Sequence, residues 1–417
     1  MLSANSRLRA AGLVVGACTA LALASCTSSA STGDPQAGAG GGGGNGSGGD
    51  GGGSATEPAP EPLRADLVNP ASGRAVPVDT RVAVKASSGT LEDVAVYYGK
   101  QTPKNMVRGE MDAEKGTWRA SELLEPGVKY TVVSKGSNED GAAKTLRRTF
   151  STESLTLDEQ TYPSVAPLQG ETVGVGMPVI VTFDIPVTKR AEIERNLTVE
   201  TSEDVKGTWH WLSDTEVHYR PKTYWPSGTK VKVDVGINGV DAGNGIYGQE
   251  DRNVSFKVGS SVISTVNVAT HQMDVEINGQ HARTIPITAG KPGFTTRSGV
   301  KVIMEKHEVK AMDAATVGIS EGSSEYYNIP DVEYAMRVTH SGEFLHAAPW
   351  SVGSQGVTNV SHGCVGMSTE NAAWLFGISK RGDVVKTVNS GRPLDFGNGW
   401  TDWDISYKDY KEGSALS

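Results

Sequence analysis

From Asp66 to Asn389 the chain is written almost throughout in period two, as short runs of alternating apolar and polar residues cut by glycine, proline, asparagine and aspartate. Such alternation puts successive side chains on opposite faces of a strand, so the chain is built to fold around sheets. One segment alone reads as a well-marked helix: Thr369 to Ile378, with Ser368 placed to cap its first turn. The expectation is a mainly β protein.

The strand grammar falls into three units. Residues 66–155 carry Val76-Pro77-Val78, Arg81 to Lys85, Leu91 to Tyr97, Lys129 to Val133 and Lys144 to Phe150, with a turn at Glu125-Pro126-Gly127. This reads as a small β-sandwich. Residues 160–260 repeat the theme, with a hairpin of Gly207 to Trp211 and Glu216 to Pro221 across Ser213-Asp214. Trp209, Trp211, Tyr219 and Trp225 have strand spacing and are expected to form an aromatic core; His210 and His218 read as sheet-surface or satisfied residues. Residues 264–390 continue with Met273 to Ile277 and His281 to Thr288 joined by Asn278-Gly279, a strong hairpin signal. Residues 391–417 hold Trp400, Trp403, Tyr407 and Tyr410, too aromatic for a loose end, and are expected to pack back on the protein. Met304, Met312, Met336 and Met367 read as core or pocket-wall filler.

The N-terminus addresses the chain. Arg7 and Arg9 precede the apolar run Ala10 to Ala24, which is close to signal-peptide length and too short to span a bilayer. Its end, Leu23-Ala24-Ser25-Cys26, resembles the processing box of bacterial lipoproteins. That resemblance implies a signal peptide over residues 1–25, lipidation of Cys26, and an exported protein anchored to the outer face of the cell membrane. Residues 26–65 are rich in glycine and proline and read as a flexible tether. With 39 basic residues against 48 acidic, the chain lacks the balance of a general nucleic-acid binder. No residue pattern calls for a metal or another cofactor.

Of three cysteines, Cys364 alone remains once Cys18 is removed with the leader and Cys26 is lipidated. It stands in Ser361-His362-Gly363-Cys364-Val365-Gly366, with His346 eighteen positions upstream. Cysteine is a good nucleophile as thiolate, and an imidazole within reach takes its proton and returns it to a leaving amine. Gly363 lets N–H groups turn toward an oxyanion, and a carbonyl at Ala347 is placed to orient the second nitrogen of His346. The Cys364 segment leads into the 369–378 helix, so the thiolate is expected to gain from its positive end.

His346 followed by Ser361-His362-Gly363-Cys364 resembles the L,D-transpeptidase (YkuD-like) family, with supporting likeness in Ile287 to Lys291, Tyr334 to Arg337, Pro349-Trp350 and Asn359-Val360. Asp184 to Val187 and Trp209 to Pro221 resemble the immunoglobulin-like domains that precede the catalytic unit in mycobacterial and related actinobacterial members. The resemblance implies two immunoglobulin-like sandwiches before a β-rich catalytic domain, with one short helix after the cysteine. It implies that Cys364 attacks the carbonyl after the L-centre of diaminopimelate in a donor tetrapeptide of peptidoglycan and releases D-alanine. The acceptor diaminopimelate amine then resolves the thioester to a 3→3 crosslink. His346 is the implied base and acid, His362 shapes the pocket or assists proton handling, and Gly363 and Cys364 supply oxyanion N–H groups beside Ser361. Tyr326 or Tyr334, with Trp350, Asn359 and Gly366, are the implied substrate contacts, and carbapenem β-lactams are implied as acylating inhibitors. Gly366 departs from the asparagine or arginine usual in the family. An L,D-carboxypeptidase or protein-to-wall transferase using the same acyl-enzyme, and a non-catalytic wall-binding lipoprotein, are the alternatives left open.

Overall fold

The computed structural model describes residues 60–70 and 75–417; the expected signal segment, Cys26 and most of the tether lie outside the described residues. Two four-stranded sheets form the first sandwich, one built on Arg64–Asn69 and Ala83–Ser88, the other on Thr90–Tyr98 and Lys129–Ser137. Alternate residues Val94, Val96, Tyr130 and Val132 point between the sheets and close a core with Trp118 and Phe150. In the second sandwich Val179–Phe183, Glu216–Pro221 and Gly207–Trp211 share one sheet, and Lys230–Val235 and Arg252–Val258 share the other. Trp209, Trp211, Tyr219 and Trp225 are buried between them, as their spacing predicts.

That second core does not stop at the domain border. Val302 and Val384, strand residues of the third unit, are buried in the same apolar cluster. The third unit stacks a five-stranded sheet, in the order Gln280–Pro286, Gln272–Ile277, Val262–Asn267, Val384–Val388, Gly299–Val302, near a four-stranded one. The latter runs Glu305–Asp313, Asn328–Arg337, Phe344–Ala347, Val365–Met367. Between them lie Met273, Ile285, Ile287, Met336, Leu345, Val365 and Met367, closed by Ala372 and Leu375 of the Thr369–Ile378 helix. Ser368 Oγ accepts the Asn371 N–H and so caps that helix.

The C-terminal residues pack on the second sandwich. Arg220 lies over the rings of Trp403 and Tyr410, 4.7 and 4.5 Å from their centroids. Trp403 Nε1 donates to the Gly176 carbonyl at 2.7 Å, and Asp404 Oδ1 accepts the Val300 N–H at 2.7 Å, which ties the tail to both the sandwich and the catalytic sheet. Of the two readings of His218, sheet-surface or satisfied, the structure gives the second, because this tail covers its face. It is fully buried, with Nδ1 2.9 Å from Asp402 Oδ1 and Nε2 2.8 Å from Glu216 Oε1. His210 is half-buried and its Nδ1 donates to the Tyr410 carbonyl at 2.7 Å.

Candidate active site

The site is assembled on two short parallel strands. Leu345 pairs with Val365, His346 with Gly366 and Ala347 with Met367. Leu345, Ala347, Val365 and Met367 point into the core, so period two sends His346 to the other face. Cys364 precedes the first paired residue. Its approach is a tight turn in which Gly363 has φ 124°, a conformation that favours glycine. Ser361 Oγ accepts the Gly363 N–H at 3.1 Å and donates to the Cys364 carbonyl at 2.6 Å, while Thr296 Oγ1 donates to the Gly363 carbonyl at 2.7 Å.

Cys364 and His346 line one cavity of about 310 Å³ with Tyr327, Trp350, Ser351, His362 and Gly366. Cys364 also lines a second, of about 230 Å³, whose wall carries Lys310, Arg337 and His340. Tyr327 and Met312, like Cys364, line both. The thiol donates to the Gly342 carbonyl at 3.6 Å, and the Phe344 N–H also faces the sulfur. Burial, joined by the Glu343 carboxylate, pushes the thiol up to about 12, against the Phe344 N–H and the charges of Lys301 and Arg337, which favour thiolate.

His346 Nδ1 donates to the Ala347 carbonyl at 2.7 Å. A carbonyl can only accept, so Nδ1 keeps its proton and Nε2 is the basic nitrogen. Burial lowers the imidazole below its ordinary value. The resting pair is therefore a neutral thiol and a neutral imidazole, and proton transfer has to accompany attack. His362 is held differently: Nε2 donates to Glu325 Oε2 at 2.8 Å, an oxygen shared with Lys291, and its ring contacts Phe294 and Tyr327 at 4.6 and 5.0 Å. It forms a wall braced by the loop that carries Glu325.

Several sequence expectations need correction. The Gly363 N–H is already taken by Ser361, so the turn offers an oxyanion no free donor at that position. The helix does not begin at the thiol: strand Val365–Met367 stands between, roughly 10 Å of extended chain, beyond the first-turn range of a helix terminus. Tyr334 is half-buried and packs against Phe376 at the edge of the core, outside both cavities. Tyr326 lies outside both cavities, its hydroxyl beside Asn328 and Asp313, and its neighbour Tyr327 lines them instead. Asn359 spends its side chain on bracing, accepting the Ala289 N–H at 2.9 Å and donating to the Val268 carbonyl at 3.0 Å. Trp350 does stand at the cavity, 55% exposed and stacked on His346 at 5.9 Å. At Gly366 a Cβ would come within 2.8 Å of Ala348 Cβ and 3.2 Å of Thr288 Cγ2, so those methyl groups occupy the space of a longer side chain. Tyr327 and Glu325 carried no motif signal, and for Tyr327 the adjacent tyrosine pair was the one available hint; Met312, read as core or pocket-wall filler, does line both cavities, and Thr288 of the Ile287 to Lys291 run lines the larger.

The pattern of a bacterial Ig domain matches residues 73–241, and that of the L,D-transpeptidase catalytic domain matches residues 261–387. L,D-transpeptidase 2 of Mycobacterium tuberculosis is 36% identical over 354 residues, covering 85% of this chain and 85% of that protein. The chain belongs to the L,D-transpeptidase family. L,D-transpeptidase 5 of the same organism is 31% identical over 344 residues, covering 80% of this chain and 73% of the relative. A solved LD transpeptidase in complex with imipenem is 39% identical and covers 54% of this chain and 97% of its own, with a TM-score of 0.48. This L,D-transpeptidase thus pairs an Ig-type region with a catalytic domain in which the matched residues include both His346 and Cys364.

Proposed function

We propose that this L,D-transpeptidase joins peptidoglycan stems through 3→3 diaminopimelate crosslinks. The observation that carries the reading is that Cys364 forms part of the wall of two cavities. A crosslinking enzyme has to bring two chains to one sulfur, and a hydrolase needs only one. The donor carbonyl is attacked by sulfur as His346 Nε2 takes the thiol proton, and that proton leaves with the amine of D-alanine. The incoming diaminopimelate amine then attacks the thioester, gives a proton to Nε2, and the thiol is restored. Both amines must meet His346, so the departing D-alanine and the incoming acceptor amine occupy the larger cavity in turn, and we assign the acceptor to it. The donor, a peptide with carboxylates, fits the smaller cavity lined by Lys310 and Arg337.

The same acyl chemistry makes carbapenems candidate acylating inhibitors, with the β-lactam carbonyl in the donor's place. Lipid on Cys26 would hold the enzyme on the outer face of the membrane, and Cys26→Ala would then release it to the medium. The deciding experiment incubates the full chain with a disaccharide tetrapeptide and reads products by mass. A dimer lacking one D-alanine is expected, absent with Cys364→Ala. Tripeptide without dimer would overturn crosslinking in favour of hydrolysis.

A further inference from the structure

Behind the nucleophile lies a buried charged cluster that the transpeptidase chemistry leaves unused. Glu343 is 4% exposed and Lys301 1%. Glu343 Oε2 accepts from Lys301 Nζ at 2.6 Å, and Oε1 accepts from both the backbone N–H and the guanidinium of Arg297 at 3.0 Å. The Glu343 N–H donates to Thr339 Oγ1 at 2.9 Å, and its carbonyl accepts the Val338 N–H at 2.9 Å. The residue is thus fixed at main chain and side chain alike. Its two neighbours supply the groups that face the sulfur: the Gly342 carbonyl, which accepts from the thiol, and the Phe344 N–H, which suits the thiolate. A Cβ on Gly363 would lie 3.7 Å from Glu343 Cγ, so the carboxylate arm also abuts the turn before Cys364. Thr296, next to Arg297 in sequence, donates to the Gly363 carbonyl.

We propose that Glu343 is a positioning residue for Cys364: clamped between Lys301 and Arg297, it fixes the 342–344 backbone against the sulfur, and the charge of the cluster acts on the thiol. The inference rests on the transpeptidase reading only in taking Cys364 as the nucleophile. Buried Lys301 and half-buried Arg297 oppose the one carboxylate, Asp395 also faces Arg297, and the charges of Glu343 and Lys301 act on Cys364 in opposite directions. The other charged or titratable groups around Cys364 are Arg337, Tyr327, His346, His362, Lys310, His340 and Asp313; Asp404 lies near Lys301, and Asp395 Oδ2 is 3.7 Å from Arg297 Nε.

The test measures the second-order rate of iodoacetamide alkylation of Cys364 in the full-length protein from pH 6.5 to 9. Cys364→Ala serves as the blank for Cys18 and Cys26, and thermal midpoints are read in parallel. Lys301→Met removes a cation and is expected to slow alkylation about three- to tenfold at each pH; Glu343→Gln removes the anion and is expected to speed it by a similar factor. Lys301→Arg, which keeps the charge, is expected to stay within about twofold of wild type. Rates unchanged while thermal midpoints fall, or both neutral variants moving the same way, would reduce the cluster to scaffold. Lys301→Gln substitutes if Lys301→Met does not fold, and failure of every neutral variant to fold would likewise overturn the proposal. Alkylation reads the thiol directly, so a failure of crosslinking in the product assay leaves this outcome separately readable.

Discussion

The pairing of a raised thiol with a lowered imidazole decides how the nucleophile responds to pH. His346 Nε2 is basic only when unprotonated, and burial lets it stay so below the ordinary imidazole value of about 6.5. The acid limb of carbapenem acylation is therefore expected below that value. His346→Gln is expected to lower the acylation rate about 10²- to 10⁴-fold and to abolish the limb, read by intact mass against time. A limb above 6.5 would mean that the folded site favours imidazolium. The cysteine and histidine were legible at this scale because their chemistry is rare and their spacing is a pattern. The partner of the Gly363 N–H was not legible, since Ser361 could serve the turn or the substrate and only the turn's geometry decides. Tyr326 and Tyr327 posed the same problem: adjacent residues point oppositely, and the irregular loop before the Asn328–Arg337 strand hides which one faces inward.

At the scale of elements, the C-terminal segment carries a pH-sensitive lock. Burial works against a charged His218, yet Asp402 and Glu216 overcome it and raise the imidazole to about 9. A raised group stabilises the fold fully below its unfolded value of about 6.5, and that stabilisation is lost as pH rises through about 9. Thermal stability is expected to fall across that interval. Asp402→Asn, which breaks one of the two carboxylate pairs of the buried His218 and leaves Glu216, is expected to cost about 3–5 kcal/mol at neutral pH and to flatten the alkaline slope; calorimetry at several pH values checks both. Many strands and the Thr369–Ile378 helix were readable from period and capping, whereas strand Glu305–Asp313 and the short helices Arg190–Glu194 and Tyr407–Lys411 were not. The lock was not, because Glu216 and Asp402 are far apart in sequence and nothing in either pattern announces the other.

Across the whole molecule the cores divide unequally. The first sandwich has its own cluster, around Val96, Trp118 and Tyr130, whereas the second shares one with Val302 and Val384 of the catalytic sheet. A fragment of residues 156–417 is therefore expected to melt within a few degrees of the full chain and to be acylated at a similar rate. A fragment beginning at residue 261 exposes Val302 and Val384 and is expected to lose cooperative melting, since each buried valine contributes about 1.5–3 kcal/mol. Equal melting of the two fragments would show that the shared core contributes little. The strand grammar of each stretch was legible in the sequence; that one core runs from the second sandwich into the catalytic sheet was not, because a valine facing another domain looks like any core valine.

The protonated resting thiol also bears on how small-molecule ligands for this enzyme should be sought. Libraries of generic electrophiles rank targets by intrinsic thiolate reactivity, and a sulfur held near 12 will rank low in them. A compound that seats a carbonyl between Cys364 and His346 supplies the proton acceptor's geometry along with the electrophile. Hits at this sulfur should follow shape and fit before warhead strength.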